Sequence, residues 1–465
     1  MNIFLKGPNR QKQILLLVVD ALIVFAVFVC AYSVRIILFD GRNLSTLWDR
    51  LSWLVLVAVL LHLITFYIFE LYSVTKKGSR DWLVLWITVS VFLGFALIAI
   101  ASYGFPQDKL GRVIAFIHVP LLIVVIYFWR RLFYAVYSKR MPENNLLLLG
   151  ENSSSEVIVG LLNKYPLMNY NLTGIISDYK DNPGCFAANG SKFDISIDSY
   201  VEQHKIRTVV VAEKLKGCPG LKKIFIDMKF KGVQVFDFPT FYKHLTGMVP
   251  VLHVSDAWML FSHQEKSFQP ATYLKLKRLL DVIISLAGLI VSGPFFLIIA
   301  LAIKGTSKGH VFFRQERLGI NERPFTLLKF RSMIDGAEKE TGPIWSSSDD
   351  TRVTCVGRFL RKTRLDELPQ LINVLKGHIS MVGPRPIRKH FADRMAEKFP
   401  FYRLRFSVKP GITGWAQVNG GYSGSDEGQL EKLEYELFYI QNQSTFLDLL
   451  ILLKTVQTVI FRPGE

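Results

Sequence analysis

Four long apolar runs, at about residues 14–34, 51–72, 82–104 and 113–129, limit what this chain can become. Roughly 20 apolar residues of helix cross a bilayer core, and each run meets that length, the last at its lower limit. Lys6, Arg10 and Lys12 precede the first run, and Lys76, Lys77 and Arg80 separate the second from the third. Arg130, Arg131, Lys139 and Arg140 follow the fourth. The other two loops mix Arg35, Arg42, Arg50, Lys109 and Arg112 with Asp40, Asp49 and Asp108. This moderate bias favours an N-terminus inside, four spans over residues 1–140, and the remainder in the cytoplasm. No small-residue cleavage site follows a short apolar run, so the first run is expected to stay as an anchor. Asp20, His62 and His118 lie in or near spans, where packing or interfacial roles are expected of them.

Half of the 465 residues are hydrophobic, as membrane segments require, and the formal net charge is +18. That charge suits lipid headgroups or nucleotide-sugar phosphates. Nucleic acid fits less well, because the basic residues are spread along the chain and not gathered in one arm. Cys30, Cys185, Cys218 and Cys355 are too scattered for a disulfide framework or a zinc site.

Residues 141–265 have the pattern of a soluble α/β domain. Asn145–Gly150 is a buried-strand run, Glu151–Glu156 can open a helix, and Thr173–Ser177, Thr208–Val211 and Val233–Phe236 are further strand-like runs. The outline is Rossmann-like, yet only Gly150 remains of a G-x-G-x-x-G turn, so a structural or regulatory role is expected. Tyr273-x-x-x-Lys277 has the spacing of a dehydrogenase pair but lacks the glycine fingerprint, which also excludes an NAD-dependent dehydratase.

A fifth apolar run, Leu279–Ile303, is flanked by Lys275, Lys277 and Arg278 before it and by Lys304 and Lys308 after it. Basic residues at both ends belong to the same membrane side. Ser292-Gly293-Pro294 interrupts the middle, where proline removes a backbone donor. The combination predicts a re-entrant helical hairpin over about 276–304 that enters one leaflet and returns.

Beyond it, Thr363-Arg364-Leu365-Asp366-Glu367-Leu368-Pro369-Gln370 precedes an amphipathic stretch with Leu368, Leu371, Ile372 and Leu375 on one face and Lys376-Gly377 as its stop. Proline is tolerated in a first turn, so the helix is expected to begin at or just before Asp366-Glu367. From this segment alone, Asp366 is expected to cap the helix and Glu367 to complement its dipole. Phe401–Phe406 and the tail 446–454 mix aromatic, apolar and basic residues, a pattern that suits the membrane interface or a core.

The surrounding motifs are Phe312–Gly319, Phe325–Met333 with Lys329 and Arg331, Asp350–Thr354, Gly357–Arg361, Ser380–Pro386 with Pro384-Arg385-Pro386, and Lys409–Gly420. In this order they closely resemble the bacterial sugar transferases, which are polyprenyl-phosphate hexose-1-phosphate transferases. The resemblance covers about residues 273–465, and residues 1–140 resemble the four-helix front end of larger members. It implies a membrane protein of α plus α/β class: a four-helix bundle, a Rossmann-like middle domain and a catalytic domain with a re-entrant helix. It also implies that Asp366 is the nucleophile, attacking the sugar-bearing phosphorus of a UDP-hexose to release UMP. Glu367 is then its partner in metal binding or proton movement, Mg²⁺ the expected metal, and undecaprenyl phosphate the acceptor. Arg385, Lys329 and Arg331 are the expected phosphate clamps, with Arg314, Arg352, Arg358, Arg361 and Gln417 as further candidates.

Two departures stand out from the family pattern: Glu436 replaces the usual aspartate, and Asn442-Gln443-Ser444 the usual Asn-Trp-Ser. The expected setting is the bacterial inner membrane, in the initiation of exopolysaccharide, capsule or O-antigen synthesis. Oligomeric state stays open, with the middle domain available to form a homodimer. The competing reading is a non-catalytic scaffold or nucleotide-sensing regulator, which leaves the Asp-Glu pair and the Gly-Pro-Arg-Pro motif without a purpose.

Overall fold

The computed structural model describes residues 10–37, 47–69, 71–72, 80–103, 112–137, 144–150, 152–164, 170–176, 186–188, 191–193, 197–212, 219–261, 271–307, 309–334, 336–337, 350–420 and 425–461. It divides into two compact units, 2–244 and 245–465.

The first unit begins with helices α1 (Arg10–Arg35), α2 (Leu47–Ile68), α3 (Arg80–Tyr103) and α4 (Arg112–Tyr137), which contain the four apolar runs apart from their ends. α1, α3 and α4 are long and apolar enough to cross a membrane, and α2 carries a shorter apolar stretch. Leu22, Leu56, Phe92, Ile100 and Phe116 lie exposed on the bundle, a surface that suits lipid. This is a membrane protein. Inside, Arg130 donates to Asp20 at 2.5 Å with both side chains fully buried. The His62 and His118 rings meet edge to face at 5.1 Å, also fully buried. All three residues that the sequence assigned to packing are core residues.

The first unit continues with β1 (Asn144–Leu149), α5 (Ser153–Lys164), β2 (Tyr170–Ile176), β3 (Phe186–Ala188), β4 (Ser191–Phe193), α6 (Ile197–Gln203), β5 (Thr208–Val211), α7 (Pro219–Phe230) and β6 (Gln234–Asp237). The sheet order is β4-β3-β2-β1-β5-β6. β2, β1, β5 and β6 are parallel, and the β3–β4 hairpin continues antiparallel beyond β2. Leu146–Leu149 and Thr208–Val211 are buried, as expected of central parallel strands covered on both faces. The four strand-like runs fall on β1, β2, β5 and β6; the hairpin had no comparable signal. α8 (Phe238–Thr246) carries the chain across the boundary between the units.

The second unit holds α9 (Asp256–Phe261), α10 (Ala271–Thr306), β7 (Phe312–Leu318), β8 (Pro324–Phe330), α11 (Cys355–Lys362), α12 (Gln370–Leu375), β9 (Ser380–Val382), α13 (Lys389–Lys398), β10 (Gly411–Thr413), α14 (Trp415–Asn419), α15 (Asp426–Gln441) and α16 (Thr445–Phe461). Residues 245–261, which the sequence placed with the middle domain, pack here. Trp415 Nε1 donates to Gly247 O at 2.9 Å, and Val251 N to Glu434 Oε1 at 3.1 Å.

α10 is assigned as one 36-residue helix with Pro294 inside, and Ser292 Oγ donates to Gly288 O at 2.6 Å just before the proline. Its basic flank does structural work. Arg278 caps the end of α12 by donating to Val374 O and Leu375 O at 2.6 and 2.7 Å. Lys277 and Tyr273 both donate to Asp448 Oδ2 on α16, so the dehydrogenase-like spacing is a helix-to-helix staple. Past the proline, Phe296, Ile299 and Ile303 pack on Phe330 and Leu360. Tyr402, Arg405 and Phe406 are buried, which makes the 401–406 segment part of the core and not an interfacial element. α16, by contrast, alternates buried Leu447, Leu450 and Ile451 with exposed Phe446, Leu449, Val456 and Val459.

β9 and β10 are a two-residue-wide parallel pairing, Ser380 with Gly411 and Val382 with Thr413. A Cβ on Gly411 would lie 2.1 Å from Gly383 N. Only glycine permits that approach, and the Pro-Arg-Pro segment leaves the pairing from this point.

Candidate active site

Asp366 and Glu367 ride on a 3₁₀ turn, Leu365–Glu367, one turn before the α-helix expected to carry them. α12 itself starts at Gln370, with Pro369 as its N-cap. Proline lacks the N–H that would bond Leu365 O, so a regular helix cannot run back through the dyad. Arg364 also takes a left-handed conformation, φ 57° and ψ 16°, costly for a residue with a Cβ. The far end matches the sequence. Gly377 has φ 81°, its N–H bonds Val374 O, and His378 N bonds Asn373 O, closing a Schellman motif. The inward face of α12 is Leu371, Asn373 and Val374, while Leu368, Ile372 and Leu375 are half-buried.

Asn373 aligns the parts. It donates to Thr326 O at 2.8 Å and accepts from Leu328 N at 2.9 Å, which fixes β8 against α12 and puts Lys329 beside the dyad. Lys329 Nζ lies 3.0 Å from Glu367 Oε1 and 3.7 Å from Asp366 Oδ2. Arg385 Nη2 donates to the same Glu367 Oε1 at 2.6 Å. Three distant stretches thus meet at two carboxylates.

The carboxylates differ. Burial opposes ionisation of Glu367, but Arg385 and Lys329 together hold its carboxyl far below the usual range. Burial pushes Asp366 up; Lys329 offsets part of this, and the charge on Glu367 adds to it. Asp366 has no hydrogen-bond partner among the described residues, although its residue is only 7% exposed. One carboxylate is anchored by two cations and held in its ionised form, while the other is the more basic of the two.

A profile described as bacterial sugar transferase matches residues 272–462. A UDP-glucose:undecaprenyl-phosphate glucose-1-phosphate transferase of Escherichia coli (strain K12) is 32% identical over 330 residues, 69% of this chain and 68% of that protein. The chain belongs to the bacterial sugar transferase family. A UDP-N-acetylgalactosamine-undecaprenyl-phosphate N-acetylgalactosaminephosphotransferase of Aeromonas hydrophila is 39% identical over 229 residues, 49% of this chain. A UDP-glucose:undecaprenyl-phosphate glucose-1-phosphate transferase of Klebsiella pneumoniae is 47% identical over 182 residues, 39% of this chain. The matched part spans 52% of the Aeromonas protein and 39% of the Klebsiella protein.

In this sugar transferase Arg385 is held from behind by residues that no motif singled out as a pair. Glu436 Oε1 accepts from Arg405 Nη2 at 2.9 Å and from Arg385 N at 3.3 Å, and Arg405 Nη2 also donates to Arg385 O at 2.9 Å. Both side chains are buried. Glu436, noted in sequence only as a departure, therefore fixes the backbone of Arg385.

The remaining candidates divide. Arg361 donates to Ser332 Oγ at 2.9 Å, and its charge favours ionised Asp366. Gln417 lines the same cavity as Glu367. Arg331 lies beyond the end of β8 and turns away, donating to Ser307 O and Oγ at 2.9 and 2.8 Å. The alternation with Lys329 holds only while the strand lasts. Arg352 folds back on Asp350 at 2.5 Å, and that hydrogen-bonded pair holds Asp350 down to about 2. Arg314 and Arg358 are exposed on β7 and α11. Among the described residues no group of three or more His, Cys, Asp or Glu is placed to hold a metal.

Proposed function

We propose that this sugar transferase moves a hexose-1-phosphate from a UDP-hexose to undecaprenyl phosphate, with Asp366 as covalent nucleophile. The observation that carries this is the asymmetry of the dyad: Asp366 accepts no hydrogen bond among the described residues, and Glu367 is bound by Lys329 and Arg385. An Asp366 oxygen attacks the sugar-bearing phosphorus. The new Asp–O–P bond forms as the diphosphate P–O bond breaks, and UMP leaves. An oxygen of the lipid phosphate then attacks the same phosphorus, the acyl-phosphate bond breaks, and Asp366 is restored with polyprenyl-diphosphate-sugar as product. Lys329 and Arg385 stand where charge on the transferred phosphoryl group can be met without reorganisation.

Mg²⁺ suits the donor type of this site, two adjacent carboxylates with room for phosphate oxygens to complete its shell. When bound, it neutralises phosphate charge. Asp366 and Glu367 would hold it.

We place α10 in one leaflet as a re-entrant element. Residues 277–281 and 303–307 at its two ends both bond to one catalytic unit, which suits a chain that returns to the side it left. The N-terminal helices then anchor the protein in the inner membrane, with both soluble parts in the cytoplasm where nucleotide sugars are made. The parallel strand order supports a Rossmann-like middle domain. Glucose and galactose are the first donors to try.

The test is UMP release from a panel of UDP-sugars by purified protein in lipid with Mg²⁺ and undecaprenyl phosphate. Release that depends on sugar identity and vanishes in Asp366→Asn is expected. A folded protein that releases nothing from any donor would return the scaffold reading.

A further inference from the structure

Helix α7 has an inner face of the ordinary kind and an outer face that is not. Phe225 and Met228 belong to the core of the middle sheet, as the inner face of a covering helix should. The outer face should then be polar, yet Ile226 is 54% exposed and Phe230 86%. These two residues are four positions apart and share one side of the helix. Lys223, Lys229 and Lys231 stand exposed around them. An exposed phenylalanine among lysines has the make-up of a bilayer-surface contact. The ring enters the headgroup layer and the cations meet lipid phosphate.

The topology puts Phe230 at one particular end of the sheet. β1, β2, β5 and β6 are parallel, so the helices between them finish where the strands begin. Arg207 N donates to Asn145 O at 3.0 Å, and Gln234 N to Arg207 O at 2.9 Å, which joins the starts of β1, β5 and β6. Asn145 Nδ2 also donates to His204 O at 2.7 Å, just past α6. Exposed Lys164, Lys205, Arg207, Lys229 and Lys231 therefore gather with Phe230 at this end. Glu202, bonded to Lys231 at 2.8 Å, and half-buried Asp198 and Asp227 offset part of that charge. Lys205 has φ 49° after α6, in the place that Gly232 fills with φ 84° after α7. Glycine takes that conformation without strain, so a lysine there costs stability.

The same end is where the chain arrives from the membrane. From Tyr137, which closes α4, to Asn144, which opens β1, the chain reaches at most about 25 Å. We infer that the strand-opening end of the middle domain rests on the anionic surface of the bilayer. Phe230 then sits in the headgroup layer, with Lys205, Arg207 and Lys229 against lipid phosphates. The other anion seat that such a sheet offers, the first turn of α5, is already taken. Asn152 Oδ1 accepts there from Ser154 N and Ser155 N at 2.9 and 3.1 Å. The domain is thus a foot whose hold depends on lipid charge.

The test puts p-benzoylphenylalanine at position 230 of the full-length protein in nanodiscs and maps its photo-cross-links by mass spectrometry. In phosphatidylethanolamine–phosphatidylglycerol the adduct should be with lipid. It should drop at least about fivefold in pure phosphatidylcholine or in about 0.5 M NaCl, since the contact is charged and screened. Lys229→Gln should cut it about fivefold, the worth of one cation at an anionic surface. Lys205→Gly should do the same with a melting temperature no lower than wild type, because glycine suits that backbone. The same probe at position 156, in the first turn of α5 at the opposite end of the sheet, should give no lipid adduct above background. A cross-link from 230 to residues 245–465 or to a second copy would overturn the assignment. So would no lipid adduct at 230, equal adducts at 156, or yields indifferent to phosphatidylglycerol or to both lysine variants.

Discussion

Lys277 meets Asp448 at 2.8 Å and Lys329 meets Glu367 at 3.0 Å, two similar ion pairs in one unit of the molecule. Around Asp448 both oxygens are bonded: Oδ2 accepts from Tyr273 and Lys277, and Oδ1 from Tyr439 at 2.7 Å. Lys277 is itself shared with Val382 O at 2.9 Å. Around Glu367 two cations converge on one oxygen, while the adjoining Asp366 accepts no hydrogen bond among the described residues and has Lys329 only at 3.7 Å. The first cluster closes on itself and ties α10 to α16 and β9. The second sets a lysine and an arginine against two carboxylates and leaves Asp366 without a hydrogen bond among the described residues, on a turn bounded by a left-handed arginine and a proline. A closed network contributes rigidity, whereas an incomplete one is available for chemistry.

That contrast can be broken most sharply at Arg385. Arg385→Lys keeps the charge but loses the planar fork, and kcat/KM should fall roughly 10²-fold with the melting temperature little changed. A loss under threefold would mean that Arg385 only balances Glu367. At the closed cluster the expectation is reversed. Asp448→Asn should cost about 3–5 kcal/mol, the scale of a broken buried pair, and lower the melting temperature by several degrees. UMP release per folded molecule should stay near wild type; a selective loss of catalysis would merge the two clusters into one machine.

The smallest effect sharpens the comparison through pH. Asp366 is raised above 3.8 by burial, while Glu367 is held well below its usual range. With Asp366 in the proposed role, activity should be lost as pH falls through a single midpoint above 3.8, with Glu367 still ionised. Lys329 lowers the Asp366 value and Glu367 raises it. In the residual activity of Lys329→Gln the midpoint should move up, and in Glu367→Gln down. Shifts of the opposite sign in the kcat–pH profile would show that another group titrates.

Much of the architecture was legible because long apolar runs and strand runs report directly on burial. The four N-terminal helices and β1, β2, β5 and β6 follow from them, as does the Gly377 stop. That Lys329 and Arg385 come together with the dyad was also legible, since all four lie in the motifs read from the sequence. What escaped was decided by where side chains go after their strand or helix ends. Arg331 follows Lys329 by two residues, yet β8 ends at Phe330 and the side chain runs to Ser307. Arg352 is captured by Asp350 two residues earlier, a local pairing that outcompetes a distant site. The link between Glu436 and Arg405 joins two segments whose approach depends on the packing of α15. Lys277 and Arg278 have the look of membrane-surface cations, but the structure uses both as internal donors.

The central claim is that Asp366, and not Glu367, takes the phosphosugar. The direct measurement is rapid-quench mass spectrometry of the protein mixed with its UDP-sugar donor in the absence of lipid acceptor. A sugar-phosphate adduct on Asp366, discharged on adding undecaprenyl phosphate and missing in Asp366→Asn, is the predicted result. UMP release without an adduct, or an adduct mapped to Glu367, would contradict it.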